Sequence, residues 1–173
     1  MIDIGGGSTE IVVGQGERLD FESSMKMGAV RRYRLHEITS AQDATDVVEI
    51  AKGILAPKLP ELLRIEPPAQ WVGVGGTFTT TAALVQDVSW TDRDKIHGFS
   101  AALEEIRDVM LMLAPLDVEA RLRLRGLQPQ RADIVVHGLA ILVCCMQQLK
   151  IPRITVSEHG NLEGYLKKRY LNL

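Results

Sequence analysis

Two carboxylates, Asp3 and Glu10, bracket the run Gly5-Gly6-Gly7-Ser8-Thr9, and the run lies between apolar, β-branched segments. Three consecutive glycines lose a great deal of backbone freedom on folding, so their presence points to something that must approach the main chain closely. Without Cβ atoms, successive N–H groups can turn toward one point and form a concave anion site, to which the Ser8 and Thr9 hydroxyls add donors. Phosphate fits such a nest. Acids beside a phosphate make sense with a cation between them, and Mg²⁺ characteristically takes one or two carboxylates together with waters and substrate oxygens. Asp3 and Glu10 are therefore the candidate metal ligands.

A second glycine loop strengthens this reading. Gly73-Val74-Gly75-Gly76-Thr77 ends an apolar strand and opens a helical stretch, where free N–H groups and the helix dipole favour an anion. An ordinary glycine-rich hairpin with its acids in solvent accounts for the first loop alone. Two anion-compatible loops in one small sheet point to a phosphorylated ligand bridging them. A dinucleotide fingerprint is excluded, because the residue five after Gly5 is Glu10 and the residue five after Gly73 is Phe78, and no Gly-Lys-Ser/Thr ending exists for a P-loop. Arg121, Arg123 and Arg125 read as a solvated helix face, and His36, His97, His137 and His159 form no metal pair at helical spacing. His97 suits a turn before Gly98, and His137 a satisfied core histidine. Trp71 and Trp90 need only pack.

The elements that must position these residues begin with strands at Ile2 to Ile4, Glu10 to Val13 and Arg18 to Met27, a three-strand meander with the glycines at a hairpin tip. Helical spacing from Ala44 toward Leu63 is broken by Gly53, Pro57 and Pro60. Trp71 to Val74 reads as a buried strand and Phe78 to Val85 as a helix with Thr77 at its N-cap. A further amphipathic helix is expected from an N-cap at Ser100, with Glu104 and Glu105 in its first turn. Asp117 caps an Arg-rich helix ending at Gly126. Arg131 to Gln148 reads as a helix apolar on nearly every side, followed by a strand at Ile154 to Val156 and a closing helix from Asn161 to Leu171. The fold class expected is α/β, a mixed five-stranded sheet with helices on both faces.

Composition sets the remaining bounds. The chain has 173 residues, 46% hydrophobic and 24% charged, with a formal net charge of −2, which suits one domain over residues 1–173 with one core. That charge argues against DNA or a membrane surface as a general partner, so any polyanion must be met locally. No stretch reaches the roughly 20 apolar residues of a membrane span, and no basic leader precedes the first strand. The two cysteines are adjacent, Cys144 and Cys145, and read as core thiols of a cytoplasmic protein. The sequence leaves a homodimer open.

The motifs DIGGGSTE (Asp3 to Glu10), MGAVR (Met27 to Arg31), GVGGTFTT (Gly73 to Thr80), His97-Gly98, RADIVVHGLAIL (Arg131 to Leu142) and S-x-x-G-x-x-E-G (Ser157 to Gly164) stand in an order that resembles the Ppx/GppA family. These are exopolyphosphatases and guanosine pentaphosphate phosphohydrolases of the actin-like, ribonuclease-H-like superfamily. The resemblance spans nearly the whole chain. It implies a phosphate-binding hairpin at Gly5, Gly6, Gly7 and Ser8, metal and catalytic roles for Asp3 and Glu10, and a second loop at Gly75, Gly76 and Thr77. Arg31 and Arg131 gain weight as phosphate contacts by lying in these motifs. The family implies Mg²⁺ or another divalent cation, and polyphosphate or guanosine penta- or tetraphosphate as ligand. It also implies an N-terminal lobe, absent from this chain, that carries a water-activating glutamate. A non-catalytic module that binds the same ligands is the alternative. One departure is Asn161-Leu162, where the family often has Leu-Arg.

Overall fold

The computed structural model describes residues 1–171. Three strands open the chain: β1 (Ile2–Ile4), β2 (Thr9–Gln15) and β3 (Arg18–Met25). Helices α1 (Ala29–Tyr33), α2 (Ala41–Leu55) and α3 (Leu59–Leu62) lead to β4 (Val72–Val74), then α4 (Gly76–Gln86) and α5 (Arg93–Ile96). After β5 (Ser100–Ala102) come α6 (Leu103–Leu113), α7 (Val118–Leu122) and α8 (Val135–Gln148), then β6 (Arg153–Ser157) and α9 (Asn161–Leu166). The sheet order is β3-β2-β1-β4-β6-β5, with β1, β4 and β6 parallel to one another and β2 and β5 antiparallel to their neighbours.

The α/β class holds, with two differences in detail. The sheet has six strands because Ser100, expected as a helix N-cap, pairs with Thr155 at the sheet edge. The helix starts at Leu103, where the Glu105 side chain folds back to accept from the Ala102 N–H at 2.7 Å. The second difference is that the packed helices cover one face only. Ile2, Ile4, Ile11, Val13, Phe21, Met25, Ala101, Ile154 and Val156 are all buried, while the alternating residues Asp3, Glu10, Val12, Thr155 and Ser157 are half-exposed. The crossovers β3 to β4 and β4 to β6 advance in the same direction along the sheet, so right-handed connections put their helices on the same side.

The core is centred on α8, whose residues Val135 to Met146 are all buried, against α2, α6 and α1. Cys144 and Cys145 lie within it, and burial pushes the Cys144 thiol up to about 12, which leaves it inert at neutral pH. His137 is a core histidine, its Nε2 2.8 Å from the His36 carbonyl and its ring edge-on to Tyr33. Burial, foremost, lowers its pKa.

Arg121 departs from the solvated face expected of it. It is 4% exposed, and its Nε, Nη2 and Nη1 donate to the carbonyls of Leu113, Ala114 and Ala132 at 3.2, 3.3 and 3.2 Å. The first two carbonyls lie at the C-terminal end of α6, where Leu113 O also accepts from the Leu116 N–H at 3.1 Å, so a cation there adds a donor to the exposed end of the helix and complements its dipole. Arg123 and Arg125 do face solvent. Arg121→Ala is expected to lower the free energy of unfolding by about 2–4 kcal/mol in urea titrations, and Arg123→Ala to change it by less than about 0.5 kcal/mol.

Candidate functional site

The turn from Gly5 to Ser8 joins β1 to β2 and is closed by the Gly5 N–H donating to the Ser8 carbonyl at 3.0 Å. Its three glycine carbonyls are all tied to the start of α1. Gly5 O accepts from the Ala29 N–H at 2.9 Å, Gly6 O from the Arg31 N–H at 2.9 Å, and Gly7 O from Arg31 Nε at 3.0 Å. The first two donors are helix N-terminal amides that have no partner within the helix, and the third is a side chain of the same helical turn. With the carbonyls bound inward, the N–H groups of Gly6, Gly7 and Ser8 have no backbone acceptor among the described residues. Gly6 and Gly7 are exposed. Such a row of free amides is what an oxyanion requires.

The close approach depends on Gly28, the N-cap of α1. A Cβ there would lie 2.4 Å from Gly6 O and 2.5 Å from the carbonyl carbons of Gly6 and Gly7. No side chain fits between the hairpin and the helix. Thr9 seals the same junction from below: it is fully buried and its hydroxyl donates to the Met27 carbonyl.

Asp3 and Glu10 are directly opposed on β1 and β2, on the half-exposed face of the sheet. Facing carboxylates repel, and burial followed by the Glu10 charge raises the Asp3 carboxyl above its ordinary value. Glu10 is steadied from the next strand, where Ser24 sits opposite it and donates from Oγ to Oε1 at 2.5 Å. Among the described residues no group of three or more His, Cys, Asp or Glu side chains gathers as a metal cage. Two opposed carboxylates beside a free-amide turn fit a divalent cation that takes its other ligands from water and phosphate oxygens.

The second loop lies beside the first because β1 and β4 pair in parallel, Asp3 opposite Val74. Gly75, the N-cap of α4, has φ +88°, and a Cβ there would lie 2.8 Å from Asp3 Oδ1. The position therefore demands glycine twice, for its backbone angle and for the seat of the Asp3 carboxylate. Over Gly76 rests the Arg131 guanidinium, whose Nη2 would be 1.7 Å from a Cβ added there. Arg131 Nε donates to Gln128 Oε1 at 3.2 Å, and burial lowers the Arg131 pKa. Thr77 is not the N-cap. Its hydroxyl donates to the Ile4 carbonyl at 3.1 Å, pinning α4 to β1.

Of the residues singled out from sequence, the structure brings Asp3, Glu10, Gly5, Gly6, Gly7, Ser8, Gly75 and Gly76 to one edge of the sheet, where β1 and β4 end. The Thr9 and Thr77 hydroxyls are committed to backbone carbonyls, and Arg31 fastens the hairpin while lining, with Arg34 and Leu35, a groove of about 410 Å³ beside Gly6 and Gly7. Sequence reading gave Gly28 and Ser24 no role. A glycine immediately before a helix signals the first, and counting register through the Gly14-Gln15-Gly16 turn points to the second. Leu162 is exposed, and the side chain of Asn161 lies outside the described residues.

Comparison with known proteins places the chain in a family. The family model described as the Ppx/GppA phosphatase family matches residues 1–173. Exopolyphosphatase 2 of Mycobacterium tuberculosis is 32% identical over 173 residues, covering 95% of this chain and 53% of that protein. A guanosine-5'-triphosphate,3'-diphosphate pyrophosphatase of Vibrio atlanticus is 29% identical, covering 95% of this chain and 32% of that protein. The crystal structure of the Aquifex aeolicus Ppx/GppA family member superposes with a TM-score of 0.85 at 27% identity, over 99% of this chain and 55% of that one. The chain thus spans about half the length of the relatives it matches, or less.

Two measurements test the geometry. Gly28→Ala is expected to destabilise the chain by about 2–4 kcal/mol in denaturant, because its methyl group meets backbone atoms that cannot move without opening the hairpin. For Asp3, the raised folded-state pKa means that stability falls as pH rises from the unfolded value of 3.8 through the folded value. Asp3→Asn should therefore melt above the parent chain at pH 7 without divalent ions, with the difference vanishing below pH 3.8. Adding Mg²⁺ should raise the melting temperature of the parent chain alone.

Proposed function

Because the chain belongs to the Ppx/GppA phosphatase family, we propose that it is the phosphate- and metal-binding lobe of a phosphoanhydride hydrolase that releases terminal phosphate from inorganic polyphosphate or guanosine pentaphosphate. The observation that carries this reading is the hairpin in which all three glycine carbonyls are tied to α1, leaving neighbouring amides free beside two opposed carboxylates. The relatives named exopolyphosphatase and guanosine pyrophosphatase support the same class of substrate.

The amides of Gly6, Gly7 and Ser8 take the oxygens of the terminal phosphoryl, and Arg131 above Gly76 meets the phosphate that follows. Asp3 and Glu10 would hold a divalent cation, Mg²⁺ by preference, which would supply charge neutralisation to the transferring phosphoryl and the leaving oxygen. Ser24 fixes the Glu10 carboxylate, and Gly75 admits the Asp3 carboxylate, so both acids keep their places as charge builds on the phosphorus oxygens. Fixed N–H donors at the hairpin stabilise that charge without reorganising. The water-activating carboxylate comes from an upstream lobe, and in-line attack needs no covalent intermediate. Phosphorylated substrates and two buried, unpaired thiols suit the cytoplasm.

The deciding experiment measures phosphate release from long-chain polyphosphate and from guanosine pentaphosphate, with Mg²⁺, by the chain joined to its upstream lobe. Glu10→Gln is expected to lower kcat by about 10²–10³-fold while substrate binding stays within a few-fold. Turnover unchanged by that substitution, or full activity from this chain alone, would defeat the proposal.

A further inference from the structure

Strands β1, β4 and β6 run parallel, so the segments after all three emerge at one edge of the sheet. The first two are the glycine hairpin and the second glycine loop. The third is the turn Ser157 to Gly160, next to Gly75 because Val74 pairs with Ser157. That turn carries His159, and its imidazole lies edge-to-face with that of His97, ring centroids 4.9 Å apart and planes at 64°. Both rings are exposed, although aromatic pairs gain most when buried.

The pair is held firmly for an exposed one. Gly98, with φ +80°, donates its N–H to the Val156 carbonyl at 2.8 Å and so presses His97 against the end of β6. The Glu158 N–H donates to His97 Nδ1 at 3.3 Å, which leaves Nε2 as the protonated nitrogen. On the other side, Ser157 Oγ donates to the His159 carbonyl at 2.9 Å and accepts from the His159 N–H at 3.1 Å. The Gly160 N–H donates to Glu163 Oε2 at 2.8 Å, closing the turn onto α9. The bond to Nδ1 orients the His97 ring, and the others fix the backbone that carries His159, whose ring is held by its edge-to-face contact with His97. The pair stands at the edge where the glycine loops end, two strand spacings or about 10 Å from the hairpin. A ribose and a short phosphate chain span that gap.

We infer that His97 and His159 form a stacking platform for a nucleobase, so that this lobe takes a nucleoside polyphosphate in preference to a bare phosphate chain. The inference rests on the phosphohydrolase reading and adds a base subsite to it. Stacking on an aromatic face tolerates any base, so the platform selects for the presence of a nucleoside and leaves base identity to other contacts.

The test compares KM and kcat for guanosine pentaphosphate and inorganic tripolyphosphate in the chain joined to its upstream lobe. His159→Ala and His97→Ala are each expected to raise KM for guanosine pentaphosphate about tenfold, with kcat little changed and tripolyphosphate kinetics unaltered. His159→Phe, which keeps a flat ring, should restore the parent KM. Unaltered tripolyphosphate turnover also reports an intact fold. Loss of both substrates in equal measure, no change in either, or failure of phenylalanine to rescue would overturn the platform while leaving the hydrolase reading in place. Absence of turnover on both substrates in the unsubstituted protein would sink the hydrolase reading and the platform with it.

Discussion

The start of α1 binds the three carbonyls of the glycine turn, and the rest of the site depends on that grip. A glycine-rich turn left to itself samples many conformations, and its amides would meet water in all of them. Here two helix N-terminal amides and one arginine side chain hold Gly5, Gly6 and Gly7 by their oxygens. Each bond fixes the orientation of a peptide plane whose N–H then lies free, and the two made by backbone amides also satisfy helix donors that have no internal partner. The grip requires the helix to sit almost in contact with the turn, and Gly28 is what permits it. Arg31 thereby acts first on the shape of the turn, through Gly7 O, and only through that shape on any bound anion.

The acid pair depends on the same arrangement at one remove. Cross-strand pairing of β1 and β2 places Asp3 opposite Glu10 because the turn between Ile4 and Thr9 is fixed in length and form. Parallel pairing of β1 with β4 then puts Gly75 against the Asp3 carboxylate, so one acid is shared between the two glycine loops. Two like charges in that position cost stability while no cation lies between them. Natural proteins tolerate such costs where the strain serves binding, and the half-buried setting of Asp3 makes the cost larger than it would be in open solvent.

Much of this was legible in the sequence, for identifiable reasons. The meander, the hairpin tip and the placement of Asp3 and Glu10 on one face follow from a side-chain period of two across a short turn, which is local information. The burial of Val135 to Met146, within the span read as a helix from Arg131 to Gln148, follows from the absence of any polar face there. What escaped was set by tertiary contacts. The Thr9 and Thr77 hydroxyls satisfy carbonyls 18 and 73 residues away, and no local pattern distinguishes them from hydroxyls that await a ligand. Arg121 shares its short helix with solvent-facing neighbours, and only the packing of α6 and the segment before α8 around it reveals a buried cation. Ser100 has the composition of an N-cap, but the free edge of β6 claimed it for a strand. The one-sided helical layer required the strand order, because the side of a crossover depends on the direction in which it advances.

On the proposed hydrolase reading, that one-sided layer bears on why a second lobe would be needed. Asp3, Glu10 and Ser24 lie on the sheet face that the packed helices do not cover, and Gly6 and Gly7 are exposed. Charges in such a setting act through a high effective dielectric, where a fixed amide or a carboxylate is worth a fraction of what it supplies in a closed, dry cleft. On the proposed reading this arrangement binds and orients a phosphate, for which its geometry is sufficient. To lower the barrier of an anhydride cleavage it must also exclude bulk water from the reacting oxygens and admit one water along the line of the breaking bond. A body closing over the open face accomplishes both at once, and it would raise the strength of every interaction already in place without altering any of them.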